Sequence, residues 1–305
     1  MIRVFRRKSF LIGIALGAFL MLYAAGCLSF RMQTIAVTGT ERKYLLHVPP
    51  NLAQGTPVPL VLALHQFSDT PQGMESLSDF NELADKEGFI VAYPKGNFRV
   101  WNAGQRGEPD DIAFLEALVQ ELARKHPVDL KRVYACGISA GGMMAQWFAC
   151  KSDTFAAIAE VAGSLSRGTL DPITQPRNIP VLLMHGTNDP VVPYNGGETY
   201  AGPGMRPTFF SAEEQAAFWA ARNGCGETPV MEELAPVDPK DPTRVKRFVY
   251  PCTEGREVVR YQIDGGGHTW PGHDNWYPAF IVGPTSRQVD ATLEIWRFFQ
   301  RHARP

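Results

Sequence analysis

Past residue 30 the chain alternates between two hydrophobic rhythms. Short apolar runs bounded by Gly, Pro or Asn mark strands, and segments with apolar residues three and four apart mark helices. Gln33–Val37 and Lys43–Val48 read as an opening antiparallel pair. Leu60–Leu64 is apolar throughout, as expected of a strand covered on both faces. A helix over Asp79–Glu87, stopped by Gly88, leads to a strand at Phe89–Tyr93. Asp110 or Asp111 caps a helix running to about His126, with Ile112, Leu115, Leu118, Val119 and Leu122 on one face. Strand Arg132–Ile138, helix Ala140–Cys150, and strands Ala157–Val161 and Val181–Met184 follow. A helix at Ala212–Arg222, strands at Val245–Val249 and Val258–Ile263, and a closing helix over Gln288–His302 complete the pattern. Strands alternating with helices predict an α/β protein with a mostly parallel central sheet and helices on both faces. The long connections Thr187–Ser211 and Val230–Arg244 are expected to shape a pocket rim. No repeat or inserted lid domain is visible, so residues 27–305 are read as one domain.

The first 26 residues break this rhythm. Arg3, Arg6, Arg7 and Lys8 precede an apolar run from Phe10 to Tyr23, then Ala24-Ala25-Gly26-Cys27. That is the layout of an export signal, and the run is short for a bilayer span of about 20 residues. The segment resembles a bacterial lipobox, except for Ala24 where Leu is usual. It predicts a signal over residues 1–26, cleavage before Cys27 and lipidation of that thiol, the one route to a membrane. The cysteine count of 5 fits export: with Cys27 acylated, four remain. Cys225 and Cys252 flank a polar, Pro-rich stretch and are expected to form a disulfide. Cys136 lies on a strand and Cys150 near the end of the next helix, too far apart to bridge.

Composition adds exclusions. Of 305 residues 20% are charged, with a formal net charge of -1, so nothing favours a polyanion and nucleic acid is not expected as a partner. No metal-binding or dinucleotide-binding spacing occurs, and no cofactor is implied.

The candidate chemistry centres on Gly137-Ile138-Ser139-Ala140-Gly141, a G-x-S-x-G motif between a predicted strand and a helix. Glycines allow the sharp turn that presents the Ser139 hydroxyl at the carboxyl end of the sheet. A serine hydroxyl needs a base. His268 follows a strand directly in a glycine-rich loop, Gly265 to Gly272, and is the expected base, with His273 as the alternative. Between serine and base, strand Val181–Met184 leads to Asp189, the expected acid that holds the imidazole; Asp264 is a rival by order but too near His268 in sequence. An oxyanion needs two backbone N–H donors: Ala140 after the nucleophile, and Phe67 from the loop His65-Gln66-Phe67-Ser68-Asp69. Trp101, Tyr194 and Trp270 are candidate substrate-binding aromatics, and His65 a buttress of its loop.

The segments LALHQF (Leu62–Phe67), FIVAYPKG (Phe89–Gly96), RVYACGISAGGMMAQWFAC (Arg132–Cys150), HGTNDPVVPYNGG (His185–Gly197) and GGGHTWPG (Gly265–Gly272) together resemble the extracellular polyhydroxybutyrate depolymerase-like esterases, related to feruloyl and acetylxylan esterases. The resemblance implies an α/β-hydrolase fold and a triad of Ser139, Asp189 and His268. It departs at Gln66, where that family has Gly. The expected activity is hydrolysis of small or oligomeric carboxylic esters through an acyl-enzyme. A serine peptidase on the same fold and a non-catalytic surface lipoprotein are the alternatives.

Overall fold

The computed structural model describes residues 32–52, 55–102, 110–169, 178–199, 206–253 and 255–305. The expected signal and Cys27 lie outside the described residues. The apolar runs assemble into a ten-stranded sheet. In chain order its strands are β1 (Gln33–Val37), β2 (Thr40–His47), β3 (Val58–Leu64), β4 (Ile90–Pro94), β5 (Val128–Ile138), β6 (Ala157–Val161), β7 (Val181–Gly186), β10 (Val230–Glu233), β11 (Arg244–Tyr250) and β12 (Val258–Asp264). A separate short pair joins β8 (Gly197–Glu198) to β9 (Thr208–Phe209). The spatial order β1-β2-β4-β3-β5-β6-β7-β12-β11-β10 is parallel from β4 to β12 and antiparallel at both edges.

Helices α1 (Pro71–Ser78), α2 (Phe80–Glu87) and α7 (Ala291–Phe299) cover one face, packing Met74, Phe80 and Phe299 against Val61, Tyr134 and Leu182. Helices α3 (Asp111–Lys125), α4 (Ala140–Lys151) and α5 (Ala212–Asn223) cover the other, packing Phe114, Phe148 and Trp219 against Leu62, Ile158 and Leu183. The alternation of sides along β3 and β5 splits one apolar run between two cores, which is why these strands carry no polar stripe. A one-turn helix, α6 (Ala279–Val282), lies in the connection to α7.

The predicted strands and longer helices are present, with instructive differences. Helix α1 was not anticipated, although Thr70 accepts from the Gly73 amide at 3.1 Å as N-cap and Pro71 occupies the first turn. Asp79 is not inside a helix but sits between α1 and α2 in the left-handed region, φ 49°. Strand β10 is exposed along its length and pairs only with β11, so it carries no alternation to read. The closing helix starts late because Asp290 caps it through the Leu293 amide at 3.0 Å. Cys225 and Cys252 are bonded across a sequence separation of 27, pinning the end of α5 to the chain leaving β11. Cys136 and Cys150 are free and buried.

Candidate active site

At the carboxyl end of β5 the chain turns into α4 within one residue. Ser139 takes φ 55° and ψ −123°, a conformation that costs a non-glycine residue about 1–3 kcal/mol. Its amide donates to Val161 O at 2.8 Å, tying the turn to β6. Ser139 is the N-cap of α4, yet its side chain makes no capping bond, so the hydroxyl is not consumed by the helix. The motif glycines are there for space. A Cβ on Gly141 would lie 2.1 Å from Leu64 O, and one on Gly137 2.5 Å from the Gly141 carbonyl carbon. Helix α4 thus seats its first turn directly on the end of β3.

Asp189 follows β7 with its side chain fully buried. Its Oδ1 accepts from the amides of Val191 and Val192, both at 2.8 Å. Its Oδ2 pairs with His268 Nδ1 at 2.8 Å. Burial alone would raise this carboxyl, but the hydrogen bonds from His185 and His268 outweigh it and hold Asp189 well below the usual carboxylate range. The acid and base expected from chain order are therefore in contact. The loop of His268 is seated by its amide donating to Val282 O at 2.5 Å and by Gly267 donating to Pro284 O at 2.8 Å. A Cβ on Gly267 would meet Val282 O at 2.2 Å, so glycine is required there. Among the described residues, Ser139 makes no side-chain hydrogen bond to His268.

The loop after β3 is fixed from behind. His65 Nδ1 pairs with Gln66 O at 2.7 Å, and its Nε2 accepts from the Gly96 amide at 3.0 Å. Accepting at Nε2 requires a neutral ring, in line with the burial that lowers this imidazole. The Gln66 side chain donates to Asp69 at 3.2 Å. Phe67 projects its ring into solvent, 61% exposed. The Ala140 amide belongs to the first turn of α4, whose N–H groups have no partner within a helix.

The three candidate aromatics part company. Trp101 lines a cleft of about 250 Å³ beside Ala140, with its Nε1 donating to His65 O at 2.7 Å. Tyr194 is buried, its hydroxyl donating to Gln262 at 2.8 Å and its ring edge-on to His185. Trp270 is fully buried against Phe80, with Nε1 on Thr292 at 2.9 Å. The last two are corrected to packing roles: their position beside the motif loops carried no information about which way the rings turn. His273 bridges Asp79 and Asp290, both at 3.2 Å, and Asp264 is held by Gln262 at 2.6 Å and Lys246 at 2.8 Å. Neither competes for the places of His268 and Asp189.

Residues 42–200 match the Esterase PHB depolymerase family model. The chain belongs to this family of esterases. NocK of Nocardia uniformis subsp. tsuyamanensis, named as an esterase, is 36% identical over 84% of this chain and 78% of its own length. Feruloyl esterase B of Piromyces equi is 31% identical over 74% of this chain, which spans 42% of that relative. Among solved structures, acetyl xylan esterase from Aspergillus awamori superposes with a TM-score of 0.57 at 19% identity, covering 78% of this chain and 94% of that one. That likeness gives the fold, that of an α/β-hydrolase; the family match and the named relatives give the class, carboxylic ester hydrolase.

Two features of the site escaped sequence reading. Met143, Met144 and Trp147 line the cleft with Ala140, on one stripe of α4 at three- and four-residue spacing. Glu160 is buried on β6, a lone charge in an apolar run, which is the signal that would have found it.

Gly141→Ala tests the seating of the elbow. It is expected to destabilise the protein by about 3 kcal/mol, because the contacts are with backbone that cannot swing aside. Urea unfolding of the two proteins measures it, and a change under about 0.5 kcal/mol would show that the helix is free to shift.

Proposed function

We propose that this chain is an exported serine esterase that cleaves carboxylic esters through an acyl-enzyme on Ser139. The observation that carries the reading is the buried Asp189–His268 pair at 2.8 Å, on the same sheet edge as the strained Ser139 turn. Ser139 Oγ attacks the ester carbonyl while His268 Nε2 takes its proton, and the bond tightens once substrate closes the site. The oxyanion is held by the amides of Phe67 and Ala140. Collapse expels the alcohol, which leaves with the proton from His268. Water then attacks the acyl-enzyme, giving its proton to His268, and the carboxylic acid departs as Ser139 is reprotonated. Asp189 holds the Nδ1–H tautomer and stabilises the imidazolium.

The cleft supports a small substrate. Its 250 Å³ is below the roughly 300–1,000 Å³ of sites for drug-sized ligands. Its lining of Trp101, Met143, Trp147, Leu165 and Phe209 suits a short acyl or hydroxycinnamoyl group. The segments around residues 189–207 and 273–285 carry exposed apolar side chains. Trp276 is 75% and Phe280 87% exposed, with Tyr277 and Ile281 exposed beside them in sequence and Val191 exposed in the loop after Asp189. Exposed apolar side chains on these loops suit short acyl or hydroxycinnamoyl esters carried on an oligomer or polymer, such as hydroxybutyrate chains or feruloylated and acetylated polysaccharide.

Three measurements test this. Ser139→Ala and His268→Ala are each expected to lower kcat by at least about 10⁴-fold with the fold intact, and Asp189→Asn by somewhat less; near wild-type turnover in either of the first two rejects the triad. In a comparison of kcat/KM, methyl ferulate, acetylated xylo-oligosaccharide or hydroxybutyrate oligomers are expected to exceed an emulsified long-chain triglyceride, and the reverse order rejects this reading of the cleft. Export with lipidation of Cys27 predicts a mature mass beginning at an acylated Cys27; another start, or an unmodified thiol, rejects it.

A further inference from the structure

One histidine of the site has no part in the scheme above. His185 ends β7 and is 3% exposed. Its Nε2 lies 2.9 Å from Val192 O and 3.3 Å from Asp189 Oδ2. A carbonyl only accepts, so Nε2 carries the hydrogen, and the same N–H is shared with Asp189. One carboxylate oxygen therefore serves two imidazoles, His268 at 2.8 Å and His185 at 3.3 Å. The other ring nitrogen, His185 Nδ1, is buried with no hydrogen-bond partner among the described residues.

The surroundings of this ring are charged. Glu160 stands on the same sheet face: it is paired with Leu183, two residues before His185 on β7. The Glu160 carboxylate accepts from the Gly163 amide, from Gln215 at 2.6 Å and from Gln146 at 3.4 Å. These partners present donors only, which favours the ionised form. From β12, Gln262 lies opposite His185 and Arg260 opposite Leu183; the Arg260 charge is met by Glu213 at 3.5 Å. Tyr194 sets its ring edge against the imidazole, 5.8 Å between centroids.

We propose that His185 is a positioning residue for the hydrolysis, gripping Asp189 from beside His268 and so setting how readily His268 accepts the serine proton. The inference rests on the triad reading above. Burial works against a charged His185, but its bond to Asp189, the charges of Asp189 and Glu160, and the Val192 carbonyl prevail, so it stays protonated to a higher pH than an ordinary histidine. Burial raises Glu160 to about 7, even with the charge on His185 and the hydrogen bonds from Gly163 and Gln215 drawing it down. A cation on one side of Asp189 disfavours a second on the other.

The sign of the effect gives the test. His185→Gln keeps an N–H near the position of Nε2 but cannot ionise. The acid limb of its kcat/KM profile is expected to move to higher pH by about half a unit or more, with kcat down less than tenfold and KM little changed. His185→Ala, which also loses the N–H, is expected to lower kcat by about tenfold or more. An unmoved or lowered limb in His185→Gln, or wild-type kcat in His185→Ala, overturns the proposal. If the variants do not fold, ¹⁵N NMR of wild-type imidazoles decides. A His185 ring with Nε2–H that gains its second proton above the ordinary histidine range supports it, and an Nδ1–H tautomer or a ring neutral at the acid limb overturns it. Ser139→Ala run alongside separates the two readings: surviving activity rejects the triad, whereas an inactive variant with an unmoved limb in His185→Gln rejects only the role of His185.

Discussion

A parallel sheet must pass its chain to a helix without losing contact with the neighbouring strand, and at Ser139 this happens within a single residue. The close seating of α4 on β3 is the constraint on which the site is built. It forces Ser139 to positive φ, and it leaves no room for a side chain at Gly141 or Gly137. It also sets the direction of α4, so the stripe Ala140, Met143, Met144 and Trp147 becomes one wall of the cleft. Without that contact the serine could settle into an ordinary helix cap, with its hydroxyl bound to the first turn. The backbone strain is therefore balanced by packing across the whole α4–β3–β5 contact, not by any local bond.

Behind this turn the structure buries charge where a sheet usually buries only hydrocarbon. Asp189, His185 and Glu160 lie within one region between the sheet and helices α4 and α5. Removing such groups from water is costly unless each polar atom finds a partner. Asp189 has two amides and two imidazoles; Glu160 has one amide and two glutamine side chains. Gln215 extends this network to the Leu165 amide at 2.7 Å, and Gln146 accepts from Trp219 at 2.7 Å. The wall of the cleft at Leu165 and the elbow helix are thus held by the same buried carboxylate. Such an arrangement makes the electrostatics of the proposed acid a property of two strands and two helices, rather than of one loop.

Much of this was legible beforehand, and the part that was not has a physical cause. The strand and helix spans depend on the period of apolar residues, which is a local property. That Ser139, Asp189 and His268 reach one edge follows from the direction of parallel strands, all of which bring their carboxyl ends to the same side. The disulfide between Cys225 and Cys252 could be expected because the alternative partners lie inside elements too far apart. By contrast, whether Trp270 faces a cleft or a core depends on what packs against it, here Phe80 and Thr292, residues remote in sequence. Tyr194 is decided in the same way by Gln262 on β12. The second imidazole on Asp189 was hidden because His185 and Asp189 are separated by a turn whose shape is set by the Val191 and Val192 amides and the carbonyl of Val192. Sequence determined which elements form and which residues reach the active edge, since period and chain direction are written locally. Tertiary structure decided which side chains share a carboxylate, which line the cleft and which are buried, since those depend on contacts between segments that the chain itself keeps far apart.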